Sequence, residues 1–164
     1  MTSLKKRLKA RPRPTAVFPL RMSDDTEDQR ALVAAKKALF VANFKEDAAD
    51  EVAEAEKQLD EAQARVDSHY EKLTLTALPP AAFEALVDAH PPTKEQEKED
   101  KDVPWNIDTF RPALLAATVD GDLTAEDWDE LYAEGQVNLG EFRRLFQSCL
   151  DVNDRSAEPF VGKG

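Results

Sequence analysis

The chain has 164 residues, a formal net charge of −11, and 41% hydrophobic and 34% charged residues. That length supports one core, or a small core with an extended helical part, and leaves too little for two full domains. The acidic balance argues against general nucleic-acid binding by the body of the chain, and a lone cysteine, Cys149, rules out an internal disulfide.

Residues 1–14 read as a basic, disordered arm: Lys5, Lys6, Arg7, Lys9, Arg11 and Arg13 come before any acid, and Pro12 and Pro14 interrupt the run. Ala16-Val17-Phe18-Pro19-Leu20 is too short and too broken for a signal-peptide apolar region or a membrane span. The chain is therefore expected to stay in the cell that makes it and to have no membrane partner.

Residues 15–78 read as strand, long helical region, strand. Thr15 to Phe18 and Leu73 to Leu78 have β character, the second alternating apolar residues with threonine, and they are expected to pair antiparallel. Between Pro19 and Pro79 there is neither glycine nor proline. Ser23-Asp24-Asp25 supplies an N-cap and first-turn acids for a helix whose inner stripe is Leu32, Ala35, Leu39 and Ala42, with Phe40 and Phe44 beside it. A second stripe follows the spacing of a coiled-coil seam through Ala48, Val52, Ala55, Leu59, Ala62, Val66, His69 and Leu73. Two geometries fit: one straight helix from Asp24 to about Tyr70, or a hairpin turning near Asn43 to Asp47. The hairpin is favoured because it lets the two alanine-rich stripes bury each other.

Residues 79–153 read as a helical domain. Pro79-Pro80 opens a helix that ends before Pro91, and residues 91–104 form a charged linker expected to be a solvated loop. A helix through Phe110, Leu114, Leu115 and Val119 comes next. Thr124 with Asp127, Gly135, and Asn138 with Glu141 then mark the ends of two more. Residues 154–164 are expected to be a flexible tail. The fold class is mainly α: a small C-terminal helical domain, a long charged helical hairpin or coiled coil, and a short antiparallel β ribbon.

The chemistry-bearing residues do not assemble into a catalytic pattern. His69 lies on the seam and His90 at a helix end, with no second ligand spaced to share a metal. Asp120-Gly121-Asp122 fails the calcium-loop template, because a loop starting at Asp120 puts Ala125 at the glycine position and Leu131 at the glutamate position. Cys149 falls on an apolar helix face, and a glycine-rich phosphate loop is absent from the sequence. The expectation is a protein without catalytic activity, metal or cofactor. Trp105, Phe110, Leu114, Phe142 and Phe146 are candidate partner-binding residues, with core packing as the alternative for each. Val52, Leu59, Val66 and Leu73 are the candidate coiled-coil seam.

The block Ala89-His90-Pro91-Pro92-Thr93, then Trp105-Asn106-Ile107-Asp108-Thr109-Phe110-Arg111-Pro112, then Leu123-Thr124-Ala125-Glu126-Asp127 and Leu139-Gly140-Glu141-Phe142 through Val152-Asn153 resembles the tail assembly chaperones of long-tailed actinobacterial phages. The resemblance covers the layout of most of the chain and is most specific over residues 78–153. It implies a non-enzymatic protein that coats the elongated, helical tape measure protein and keeps it soluble in the host cytoplasm. It also implies a longer product, made by a −1 ribosomal slip, that recruits tail tube subunits. Val161-Gly162-Lys163 is compatible with the codons GTG-GGA-AAG, which contain a slippery run, so Gly162 and Lys163 are the expected slip position. Self-association is left open. The rival readings are a structural virion component, such as a head-tail connector or coiled-coil tail subunit, and a small nucleic-acid-associated factor using the basic arm.

Overall fold

The computed structural model describes residues 3–154. In chain order they form α1 (Leu4–Lys9), β1 (Thr15–Arg21), α2 (Thr26–Asn43), α3 (Ala49–Asp67), β2 (Tyr70–Thr76), α4 (Pro80–Asp88), α5 (Lys94–Glu99), α6 (Ile107–Thr118), α7 (Ala125–Glu134) and α8 (Leu139–Asp154). The protein is mainly helical with one two-stranded antiparallel ribbon, as the sequence predicts. The expected slip position at Gly162 and Lys163 lies outside the described residues.

Chain packing divides the molecule into two units, Pro19–Lys72 and the rest of the described chain. The boundary therefore falls within the two strands and not at 78/79, because Leu75 and Ala77 are buried in the core that the C-terminal helices build. Both strands extend beyond their expected ends toward the helical region. Met22 donates its N–H to the His69 carbonyl (2.7 Å) and Ala77 donates to the Pro14 carbonyl (2.9 Å). Counting inward, Pro19 falls opposite Lys72 at a position whose N–H would point away from β2, so proline costs this ladder nothing.

In the Pro19–Lys72 unit, α2 and α3 form a hairpin, so the straight-helix alternative is set aside. Its turn contains no glycine; Asp47 takes the left-handed conformation (φ 52°), which aspartate tolerates better than most residues. Lys45 and Glu51 pair at 2.8 Å across that turn. Leu32, Ala35, Ala62 and Val66 form the buried seam, with Leu59 packed beside them. Small residues at these positions let the helices approach closely but bury little area, so this is a thin core. Ser23 does not cap α2; Asp25 is the N-cap residue, and Asp24 accepts the Thr26 N–H at 3.0 Å.

The other unit is built on a denser core. Phe110, Leu114 and Leu115 of α6, Trp128 of α7, and Leu145 and Cys149 of α8 are all buried. Val119, just past α6, bridges antiparallel to Leu75, and Asp120 donates its N–H to the Thr74 carbonyl at 2.8 Å, holding α6 against β2. The helix ends follow their capping residues. Thr124 and Asp127 close a reciprocal capping box, Gly135 ends α7 at φ 85°, and Asn138 and Glu141 exchange hydrogen bonds at 2.9 and 3.0 Å.

Four expectations need correction. The basic arm carries a six-residue helix, α1, with Ser3 accepting the Lys6 N–H; leucine, lysine and arginine favour helix, and its cations lie toward the C-terminal end of the dipole. The charged linker contains α5, because Thr93 and Gln96 form a capping box that starts a turn without any buried residue. Leu73 is not on the helical seam: it lies on β2, half-buried against the core of the C-terminal helices. His69 also lies off the helix, since α3 stops at Asp67 and the chain turns into β2.

Candidate partner-binding surface

The five aromatic and aliphatic residues considered as partner anchors sit mostly inside the molecule. Phe110 and Leu114 have no exposed surface, and Phe142 has almost none. Trp105 stacks on Phe110 with ring centres 4.2 Å apart, and Phe146 meets both rings edge-on. Phe83 and His90 approach Phe110 from other sides, and the Arg111 guanidinium lies 5.5 Å from the Phe146 ring centre. Only Trp105 and Phe146 retain partial exposure. This cluster closes the core because a small helical unit rich in alanine needs ring area to hold together.

His69 occupies a polar cluster at the root of the hairpin. Its Nδ1 lies 2.6 Å from Ser23 Oγ and its Nε2 lies 2.6 Å from Asp28 Oδ2, while Arg65 Nε approaches the other Asp28 oxygen at 3.5 Å. The three residue types are those of a Ser–His–Asp relay, but the ring is reversed, with serine on Nδ1 and aspartate on Nε2. These contacts tie Ser23 and the first turns of α2 to the end of α3 and the residue before β2. Beside it, buried Asp25 accepts from Gln29 (3.0 Å), Tyr70 (2.9 Å) and Arg21 (3.4 Å). The Gln29 hydrogen bond, helped by Tyr70, holds the Asp25 carboxyl below its ordinary range, and the bond to Asp25 pushes the Tyr70 phenol upward.

Burial raises the Cys149 thiol to about 12, so at neutral pH it is a packed apolar group and not a nucleophile. Among the described residues, no group of three or more His, Cys, Asp or Glu side chains is placed to hold a metal ion, and no helix is long and apolar enough to cross a membrane.

Several large apolar side chains are exposed together along the outward face of α2. Val33 is 50% exposed, Phe40 65%, Val41 55% and Phe44, just past the helix, 75%. The Phe40 and Phe44 rings touch each other, 4.8 Å between centres, instead of turning into the hairpin core. Arg30, Val33, Lys37, Phe40 and Phe44 recur at alternating steps of three and four, giving α2 a second seam opposite its buried one. On one flank a shallow groove of about 650 Å3 runs between α2 and α3. Its floor is Ala38, Val41, Ala42 and Ala55; Lys37 and Lys45 edge the α2 side, and Asp50, Glu51 and Glu54 the α3 side.

This face was missed in the sequence, although two signals mark it. One is the repeat of the same spacing on a displaced register. The other is that no acid occurs between Asp28 and Glu46 in a chain otherwise crowded with them. Comparisons with protein-family models, curated proteins and solved structures returned no match to this chain.

Proposed function

We propose that this chain is a non-enzymatic tail assembly chaperone of a long-tailed actinobacterial phage. In this role it binds the tape measure protein and holds it in solution in the host cytoplasm. The observation that supports this most directly is the outward face of α2, where two phenylalanines and two valines stand in solvent at helical spacing. Exposed apolar residues contiguous on one face mark an interaction surface more often than chance. A holdase for a long helical client needs a surface that receives helices and a shell that prevents its own precipitation. The net charge of −11 supplies the second. Many copies along one client would add their weak contacts by avidity. The resemblance over residues 78–153 supplies the client's identity. On this reading a longer form, made by a −1 slip at Gly162-Lys163, recruits tail tube subunits, and neither form remains in the finished particle.

Co-expression with the tape measure protein of the same genome tests the reading. The expected result is a soluble client that co-purifies with this chain. A client equally insoluble with and without it contradicts the proposal, and stoichiometric recovery of the chain from purified particles favours a structural virion component instead.

A further inference from the structure

We infer that the outward face of α2 seats an acidic amphipathic helix of the client, lying along Arg30, Val33, Lys37, Phe40 and Phe44. The inference rests on the reading of the chain as a holdase for a helical client, and it adds the chemistry of the client segment.

Charge is the first argument. Residues 29–45 carry Arg30, Lys36, Lys37 and Lys45 and no acid, within a chain of net charge −11. Arg30 is paired with Glu27 at 2.7 Å and Lys45 with Glu51 at 2.8 Å. Among the described residues, Lys36 and Lys37 have no ion-pair partner within 4 Å. Lys36 and Lys37, left without such partners beside the apolar seam, offer charges that an acidic helix satisfies and a basic one does not. Spacing is the second argument, because a seam of alternating three and four steps fits the ridge of another helix better than an extended strand.

The position of Lys37 argues for a foreign helix over a second copy of this one in a centred pairing. Lys37 is the middle residue of the five-residue seam. Parallel in-register pairing of two α2 faces brings Lys37 against Lys37, and so does antiparallel pairing about a two-fold axis at the seam centre. Covering a cation with a like charge is unfavourable, whereas an Asp or Glu on an incoming helix satisfies it. Asp50, Glu51 and Glu54 on the far side of the adjoining groove repel an acidic helix that strays across it, which keeps the helix on the outer side of α2.

The test is fluorescence anisotropy of the full-length chain with two labelled synthetic helical peptides of roughly three heptads. Both carry leucine at the seam positions; one has glutamate and the other lysine at the flanking positions. The glutamate peptide should bind at least about tenfold more tightly, a preference that salt diminishes. K36E/K37E should reverse the preference, and F40S/F44S should weaken both peptides by about tenfold or more, each variant keeping the wild-type circular dichroism spectrum. Equal binding of the two peptides, lost in F40S/F44S, overturns the charge selection while leaving the holdase reading intact. Binding of neither peptide overturns the proposed seat, and a client that this chain still solubilises would then be held elsewhere. A dimer that dissociates in F40S/F44S overturns it too, and assigns the face to a second copy.

Discussion

Asn153 accepts the backbone N–H of Leu78 at 2.7 Å, joining positions 75 residues apart in the chain. The same side chain donates to the Thr118 hydroxyl at 3.2 Å and to the Cys149 carbonyl at 2.8 Å. One amide thus fastens the exit of β2, the end of α6 and the last turn of α8. Asn153→Ala leaves the Leu78 N–H and the buried Thr118 hydroxyl without this partner, which should cost about 1–3 kcal/mol. Urea denaturation should show a lower midpoint at unchanged slope.

Phenylalanines at two sites should behave oppositely. Phe110 has no exposed surface and contacts Trp105, Phe83 and Phe146, so Phe110→Ala should destabilise by about 3–5 kcal/mol. Phe40 and Phe44 stand mostly in solvent, and alanine at either should change stability by no more than about 0.5 kcal/mol. Thermal unfolding of the three variants checks this. A large loss at Phe40 or Phe44 would mean that those rings pack within the fold.

The hydrogen bonds that Gln29 and Tyr70 give to Asp25 should leave a mark at both ends of the pH scale. The folded-state pKa of Asp25 is lowered, so its contribution is present above the unfolded value of about 3.9 and lost as pH falls through the folded one. That of Tyr70 is raised, so its contribution is full below about 10 and lost as pH rises through the folded value. The stability gap between wild type and Asp25→Asn should close on acidification, and the gap to Tyr70→Phe should close above pH 10. Unfolding scans across that range would show a Tyr70→Phe gap independent of pH if the contact to Asp25 does not form, and an Asp25→Asn gap independent of pH if neither Gln29 nor Tyr70 donates to Asp25.

Cys149 should resist a thiol reagent such as Ellman's in the native protein, because burial suppresses both access and thiolate. It should react within the time of unfolding in denaturant. Fast native labelling would place the thiol at the surface.

Much of the fold was legible because its signals are local. Thr124 with Asp127, Gly135, and Asn138 with Glu141 fix helix ends by hydrogen bonds to neighbours three residues away or by the backbone conformation glycine permits. The two stripes facing each other across the hairpin follow from spacing alone. The hairpin turn was less visible, since Asp47 takes the left-handed conformation where a glycine would have announced it. Leu73 and His69 continue the heptad arithmetically, but tertiary pairing with β1 ends the helix first. The uncovered face of α2 was harder still. Trp105, Phe110 and Phe146 and the pair Phe40 and Phe44 have the same residue chemistry, and only the packing assigns the first set inward and the second outward.

The most direct test of the central claim is a sedimentation assay on the tape measure protein, diluted from denaturant into increasing molar ratios of this chain. The account predicts that the fraction of client left in the supernatant rises with the ratio, and that F40S/F44S, although folded, fails to raise it. An equal rise with the variant, or no rise with the wild-type chain, would contradict the account.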